Sequence, residues 1–141
     1  MDIQSQNLST HPLTKEETER YARFLYNHLE EYGDPLDDVL ACFDYAAHRG
    51  GLLITAVDDD ELLGVAMTNE TGMSGYIPAN ILVYLAVSPD ARRRGVGSAL
   101  MNAVKAETTG GIALHVEENN PAKSLYERSG FDVKYLEMRS A

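Results

Sequence analysis

The sequence predicts one α/β domain: a mixed, mostly antiparallel sheet flanked by helices on both faces. Three observations carry that expectation. The chain has 141 residues, 44% of them hydrophobic and 24% charged, which suits a single globular unit with a buried core. Two amphipathic helical patterns come first, three apolar strand patterns follow, and then helices alternate with strands. Internal repeats, linkers and low-complexity segments are absent. Residues 14–141 therefore read as one domain, preceded over 1–13 by a tail or a short edge strand.

Thr14-Lys15-Glu16-Glu17 opens the first helix as a capping box, with Thr14 as N-cap and Glu17 returning the bond. Tyr21, Phe24, Leu25, His28 and Leu29 recur at helical spacing, and Gly33 closes the helix. Asp34-Pro35 starts the next one, Asp34 as N-cap and Pro35 as first helical residue. Leu36, Val39, Leu40, Phe43 and Ala47 form its apolar stripe, which ends near Arg49-Gly50. Residues 52–57 and 62–67 form a hairpin about Asp58-Asp59-Asp60. Residues 69–78, with Gly72, Gly75 and Pro78, form a loop. Residues 80–87 are apolar on both faces, as in a central strand. A helix begins after Gly95, with Val96, Ala99, Leu100 and Ala103 inward, and ends by Gly110-Gly111. Residues 112–116 form a short strand, Asn120-Pro121 caps a helix that stops at Gly130, and residues 131–138 form a closing strand.

The chemistry concentrates in residues 83–100. An apolar, β-branched run leads into Ser88-Pro89-Asp90, then Arg92-Arg93-Arg94, then Gly95-Val96-Gly97 at a helix start. A helix N-terminus offers unpaired N–H groups and the positive end of the helix dipole. Gly95 and Gly97 let those groups approach an anion closely, and the arginines add planar donors suited to phosphate. The pattern points to a pyrophosphate-bearing ligand. No Gly-Lys-Ser/Thr follows, so it is not a Walker loop, and position 100 is Leu where a dinucleotide fingerprint has Gly.

Arg92-x-x-Gly95-x-Gly97 resembles the Arg/Gln-x-x-Gly-x-Gly/Ala signature of the GNAT superfamily of N-acetyltransferases. Downstream, Asn119-Asn120-Pro121-Ala122-Lys123-Ser124-Leu125-Tyr126-Glu127-Arg128-Ser129-Gly130-Phe131 is similar to that family's Asn-x-x-Ala-x-x-Leu-Tyr-x-x-x-Gly-Phe pattern. The resemblance covers residues 79–133 and is only architectural before them. It implies a GNAT-like fold in which the strand before the phosphate loop and the strand after its helix splay apart, with the pantetheine arm of acetyl-CoA in the gap. The implied activity is direct transfer of an acetyl group, in a ternary complex, to a primary amine of a small molecule or a protein. No metal is implied.

Matched position by position, Arg92, Arg93, Arg94, Gly95, Val96, Gly97 and Ser98 would bind the pyrophosphate. Leu85 and Val87, with Ala86 between them, would offer backbone groups to the pantetheine and the thioester. Asn119, with Asn120 as the alternative, would bond the pantetheine arm beside Ala122, and Tyr126 would protonate the departing sulfur. The resemblance also implies a carboxylate base on the strand before the loop, where this chain has Asn80-Ile81-Leu82-Val83-Tyr84. Glu117 and Tyr84 are candidates for the base, with Glu70 and His115 behind them. The missing carboxylate keeps a second reading open, a non-catalytic acyl-CoA-binding or sensing module. Only ten residues follow Phe131, so the C-terminal end is shortened relative to the family, and a homodimer could complete the open edge.

Charge narrows the partners. The net charge is −10. Residues 1–70 hold 15 acidic and 4 basic side chains, a net −11, and residues 71–141 hold 7 and 8, a net +1. The acidic half would repel nucleic acid and attract a cationic acceptor or a basic protein segment. No apolar run reaches the roughly 20 residues of a membrane span, and residues 1–11 are too polar for a secretory leader. Cys42, the one cysteine, falls on an apolar helix face as a small buried hydrophobe. These features fit the cytoplasm.

Overall fold

The computed structural model describes all 141 residues. Its elements are β1 (Asp2–Asn7), α1 (Lys15–Leu29), α2 (Leu36–Arg49), β2 (Leu52–Asp58), β3 (Glu61–Glu70), β4 (Asn80–Val87), α3 (Val96–Glu107), β5 (Ile112–Leu114) and α4 (Ala122–Arg128). The five strands lie in the sheet in chain order. Every neighbouring pair is antiparallel except β4 and β5, which are parallel because α3 carries the chain back between them.

Two layers of side chains hold the helices to the sheet. Ala22 and Leu25 of α1 and Val39, Phe43 and Ala46 of α2 pack on Leu53, Val65, Met67, Tyr84 and Ala86. On the opposite face, Val96, Leu100, Met101 and Val104 of α3, with Tyr126 of α4, cover Ile54, Ala56, Leu63, Ala66, Leu82 and Leu85. A fully buried Leu or Val contributes roughly 1.5–3 kcal/mol, so these two layers dominate stability.

The capping box forms as expected. The N–H of Glu17 donates to Thr14 Oγ1 at 3.1 Å, and Thr14 N–H donates to Glu17 Oε1 at 2.9 Å. Five local expectations are corrected. α1 ends at Leu29 and a 3₁₀ turn, Glu30–Tyr32, runs on to Gly33. Pro35, and not Asp34, is the N-cap of α2, and no side chain caps that helix. β3 extends to Glu70, two residues into the expected loop, and β5 stops at Leu114. Residues 131–141 form no strand, and Val133, Tyr135, Leu136 and Met138 are exposed. A strand needs a partner ladder, and the three-residue β5 is too short to provide one.

Candidate active site

The site opens where β4 and β5 part. They pair only over Asn80–Leu82 and Ile112–Leu114. Buried Asn80 pins that end, its side-chain amide donating to the carbonyls of Thr109 at 2.8 Å and Gly111 at 3.3 Å. Past Leu114 the chain leaves the sheet. The outward backbone groups of residues 83–87 therefore have no strand partner, and Leu85, Ala86 and Val87 lie along that free edge.

A bulge shapes the same stretch. The register of β3 against β4 shifts between Met67↔Tyr84 and Thr68↔Leu82, leaving Val83 as an extra residue. Val83 and Tyr84 consequently both pack toward the α1–α2 layer, while Leu82 and Leu85 pack toward α3. Nothing in an all-apolar run signals this, because alternation is already absent.

At the far end of β4 a 3₁₀ turn, Pro89–Ala91, leads into the glycine-bearing loop. Arg93 and Gly95 adopt left-handed backbone, with φ of 67° and 78°. Gly95 is the N-cap of α3 and offers no side chain, and the first turn holds no acidic residue. The N–H groups of Val96, Gly97 and Ser98 thus lack intrahelical acceptors and are free for an anion. Gly97 has a second role: a Cβ there would lie 3.0 Å from Leu125 Cδ2, so its bareness lets α4 seat on α3. The arginines are not equivalent. Arg94 binds Asp58 at 2.8 Å, Arg92 stands 3.9 Å from Glu30, and Arg93 makes no ion pair.

The second motif divides its asparagines. Asn120 Oδ1 accepts from the N–H of Ala122 at 2.9 Å and so starts α4, while the Asn119 side chain is exposed. Tyr126 is 9% exposed, and its ring meets Phe131 edge-on at 6.4 Å. Its hydroxyl takes no hydrogen-bond partner from the chain, yet it is not sealed from solvent. Burial pushes its phenol up to about 12.

The candidate bases scatter. Glu70 pairs with Asn80, at the end of β4 away from the glycine-bearing loop. His115 and Glu117 are exposed in the segment leaving β5. The Tyr84 hydroxyl donates to Asp34 Oδ2 at 2.5 Å, and burial first, then Asp34, raises its phenol well above the ordinary range. Tyr84 thus directs its hydroxyl proton at a carboxylate.

Sequence reasoning missed the segment between α1 and α2. Glu30 reaches Arg92 of the glycine-bearing loop, the Tyr32 hydroxyl donates to the Asn119 carbonyl at 3.2 Å, and Asp34 accepts from Tyr84 of β4. Residues 30–34 are thereby tied to all three other parts of the site. Burial, then Glu31, Glu117 and Glu30, raises the Tyr32 phenol, so this rim is acidic. Asp34 has the residue type and position of a helix cap, yet its oxygen is taken by Tyr84.

A parallel strand pair that splays beside a glycine-capped helix is the arrangement of an acyl-CoA-dependent acetyltransferase domain. The sequence pattern of the acetyltransferase (GNAT) domain matches residues 49–133, and the chain belongs to that family. It is 36% identical over 83 residues to a mycothiol acetyltransferase of Clavibacter sepedonicus, covering 57% of this chain and 25% of that protein. It is 34% identical over 87 residues to a mycothiol acetyltransferase of Rhodococcus jostii, covering 57% and 28%. The chain thus spans about a quarter of the length of these curated relatives. Its fold is shared with a GCN5-related N-acetyltransferase of Ralstonia eutropha, with a TM-score of 0.69, 18% identity, and 99% and 97% of the two chains covered. Aminoglycoside N-acetyltransferase AAC(6')-Iy, solved in complex with CoA, superposes with a TM-score of 0.68, 19% identity, and 99% and 93% coverage.

Proposed function

We propose that this chain transfers the acetyl group of acetyl-CoA to a cationic primary amine, in a ternary complex formed at the β4–β5 gap. The observation that carries the reading is the conjunction at one gap of three features. These are a strand edge without a partner, an uncapped helix start free of acidic residues, and a buried tyrosine with an unpartnered hydroxyl. Acetyl-CoA supplies the activated acyl carbon and a thiolate leaving group. The first turn of α3, from Gly95 to Ser98, with Arg92 and Arg93, would hold the pyrophosphate, and Arg94 would contribute through its field while bound to Asp58.

Backbone groups of Leu85, Ala86 and Val87 would align the pantetheine along β4, and Asn119, beside Ala122, would bond it from the other wall. Tyr126 is neutral throughout the physiological range, the state required of a donor to the departing sulfur. The acceptor reaches the gap as an ammonium, because an alkylamine titrates near about 10. It loses a proton to solvent before attack, with Glu117 at the mouth as the carboxylate able to relay it. A cytoplasmic location belongs to this reading. So does a homodimer through the free outer edge of β5, with Val133, Tyr135, Leu136 and Met138 at the contact.

Calorimetric titration with acetyl-CoA, followed by thiol release across a panel of primary amines, tests the reading. Binding with turnover is expected. Binding without turnover on any amine would make the chain an acyl-CoA-binding module, and no binding would remove the reading altogether.

A further inference from the structure

We propose that Asp34, held in place by the Tyr84 hydroxyl, is the residue that selects a positively charged acceptor. The proposal rests on the reading of the β4–β5 gap as the transfer site. Tyr84 stands two residues past Leu82, the last β4 residue paired with β5. The bulge at Val83 turns its ring toward the α1–α2 layer, and its hydroxyl meets Asp34 Oδ2 fifty residues away in sequence. A side chain only 8% exposed thereby holds an exposed carboxylate, on a segment whose Tyr32 also reaches across to the Asn119 carbonyl beyond β5.

Three features separate this carboxylate from an ordinary solvated acid. It forgoes the role its position favours, because α2 has no side-chain cap although Asp34 directly precedes the Pro35 N-cap. Only one of its oxygens is engaged, and by a neutral donor. It makes no ion pair, whereas Arg92, the base on this rim, is turned to Glu30. A carboxylate has about four lone-pair sites. One that is oriented, singly bonded and without a counter-cation is set to receive an ammonium. Asp34 acts on capture and positioning, so its effect belongs in acceptor KM more than in kcat.

Steady-state kinetics at saturating acetyl-CoA test this with 1,5-diaminopentane as a charged acceptor and aniline as an uncharged one. Asp34→Asn should raise KM for the diamine about tenfold while kcat moves less than about twofold. The aniline rate and the calorimetric affinity for acetyl-CoA should be unchanged. Asp34→Glu should recover part of the loss. Tyr84→Phe, checked for folding by circular dichroism, should raise the same KM by a smaller factor, because the carboxylate remains but is no longer held. Asp60→Asn, the same charge change on the exposed β2–β3 turn, should alter none of these constants. An Asp34→Asn enzyme whose diamine KM matches that of Asp60→Asn overturns the proposal, as does an equal loss on both acceptors. Wild-type chain that binds acetyl-CoA but acetylates neither probe overturns it too, while the cofactor site stands. Failure of the wild type to bind acetyl-CoA removes the underlying reading first.

Discussion

Tyr126 shows how one residue can serve packing and still leave a polar group free. Its ring is held by the α3-side core and by Phe131, while its hydroxyl is spent on neither. Tyr126→Phe keeps the ring and should lower kcat by roughly 10²-fold, the range for loss of a general acid, with acetyl-CoA affinity little changed. Full turnover in that variant would reduce Tyr126 to a packing residue. Gly95 isolates the backbone requirement. Its φ is +78° and a Cβ there would meet nothing within 4 Å, so Gly95→Ala brings left-handed strain of about 1–2 kcal/mol and no clash. Weaker acetyl-CoA binding by calorimetry is the expected result. Gly97 is the poorer probe, because any side chain there also presses on Leu125 of α4.

At the scale of elements, α1 and α2 contrast. α1 carries its reciprocal Thr14–Glu17 cap, while α2 has no side-chain cap. Thr14→Ala should cost about 1 kcal/mol by denaturant unfolding, since one first-turn N–H loses its acceptor. An unchanged midpoint would show that packing of Leu25 and its neighbours alone sets the helix start. The uncapped α2 shows where Asp34 went: to Tyr84 of β4 rather than to its own helix. β5 is the other decisive element. Its three residues tie the sheet to Asn80 and then release, and that early release opens the gap.

For the whole molecule, charge and burial set two condition dependences. Exposed Asp37, Asp38 and Asp44 line α2, the helix that starts at the acidic rim. Their attraction for a cationic acceptor would be screened beyond a Debye length of about 8 Å at physiological ionic strength. kcat/KM should therefore fall as salt rises, and joint neutralisation of Asp34, Asp37, Asp38 and Asp44 should mimic the fall. Rates indifferent to salt would assign these acids to solvation. Burial also holds the Cys42 thiol and the Tyr126 phenol up to about 12. Both groups ionise earlier in the unfolded chain, near about 8.5 and 10. Their contribution to stability is therefore complete below about pH 8.5 and is lost as pH rises through 12. Denaturant midpoints should drop progressively across that alkaline window, and a flat profile there would contradict the burial of both groups.

The sequence by itself determined the class of fold, the order of the elements from α1 to α4, and the loop and tyrosine motifs from which the candidate site is read. Those features are local: the capping box, the apolar stripes and the glycine at a helix start act within a few residues of chain, and Arg92-x-x-Gly95-x-Gly97 needs no distant partner to be read. What depended on strand pairing was invisible. The bulge at Val83 is a mismatch between two strands, so only β3 lying against β4 reveals it. The expected strand over 131–138 had the right composition but no ladder to join. Asp34 had the right residue type for a cap, yet a tyrosine fifty residues away takes its oxygen. Tertiary structure alone decided those points, because each is settled by which backbone or side chain arrives from elsewhere in the chain.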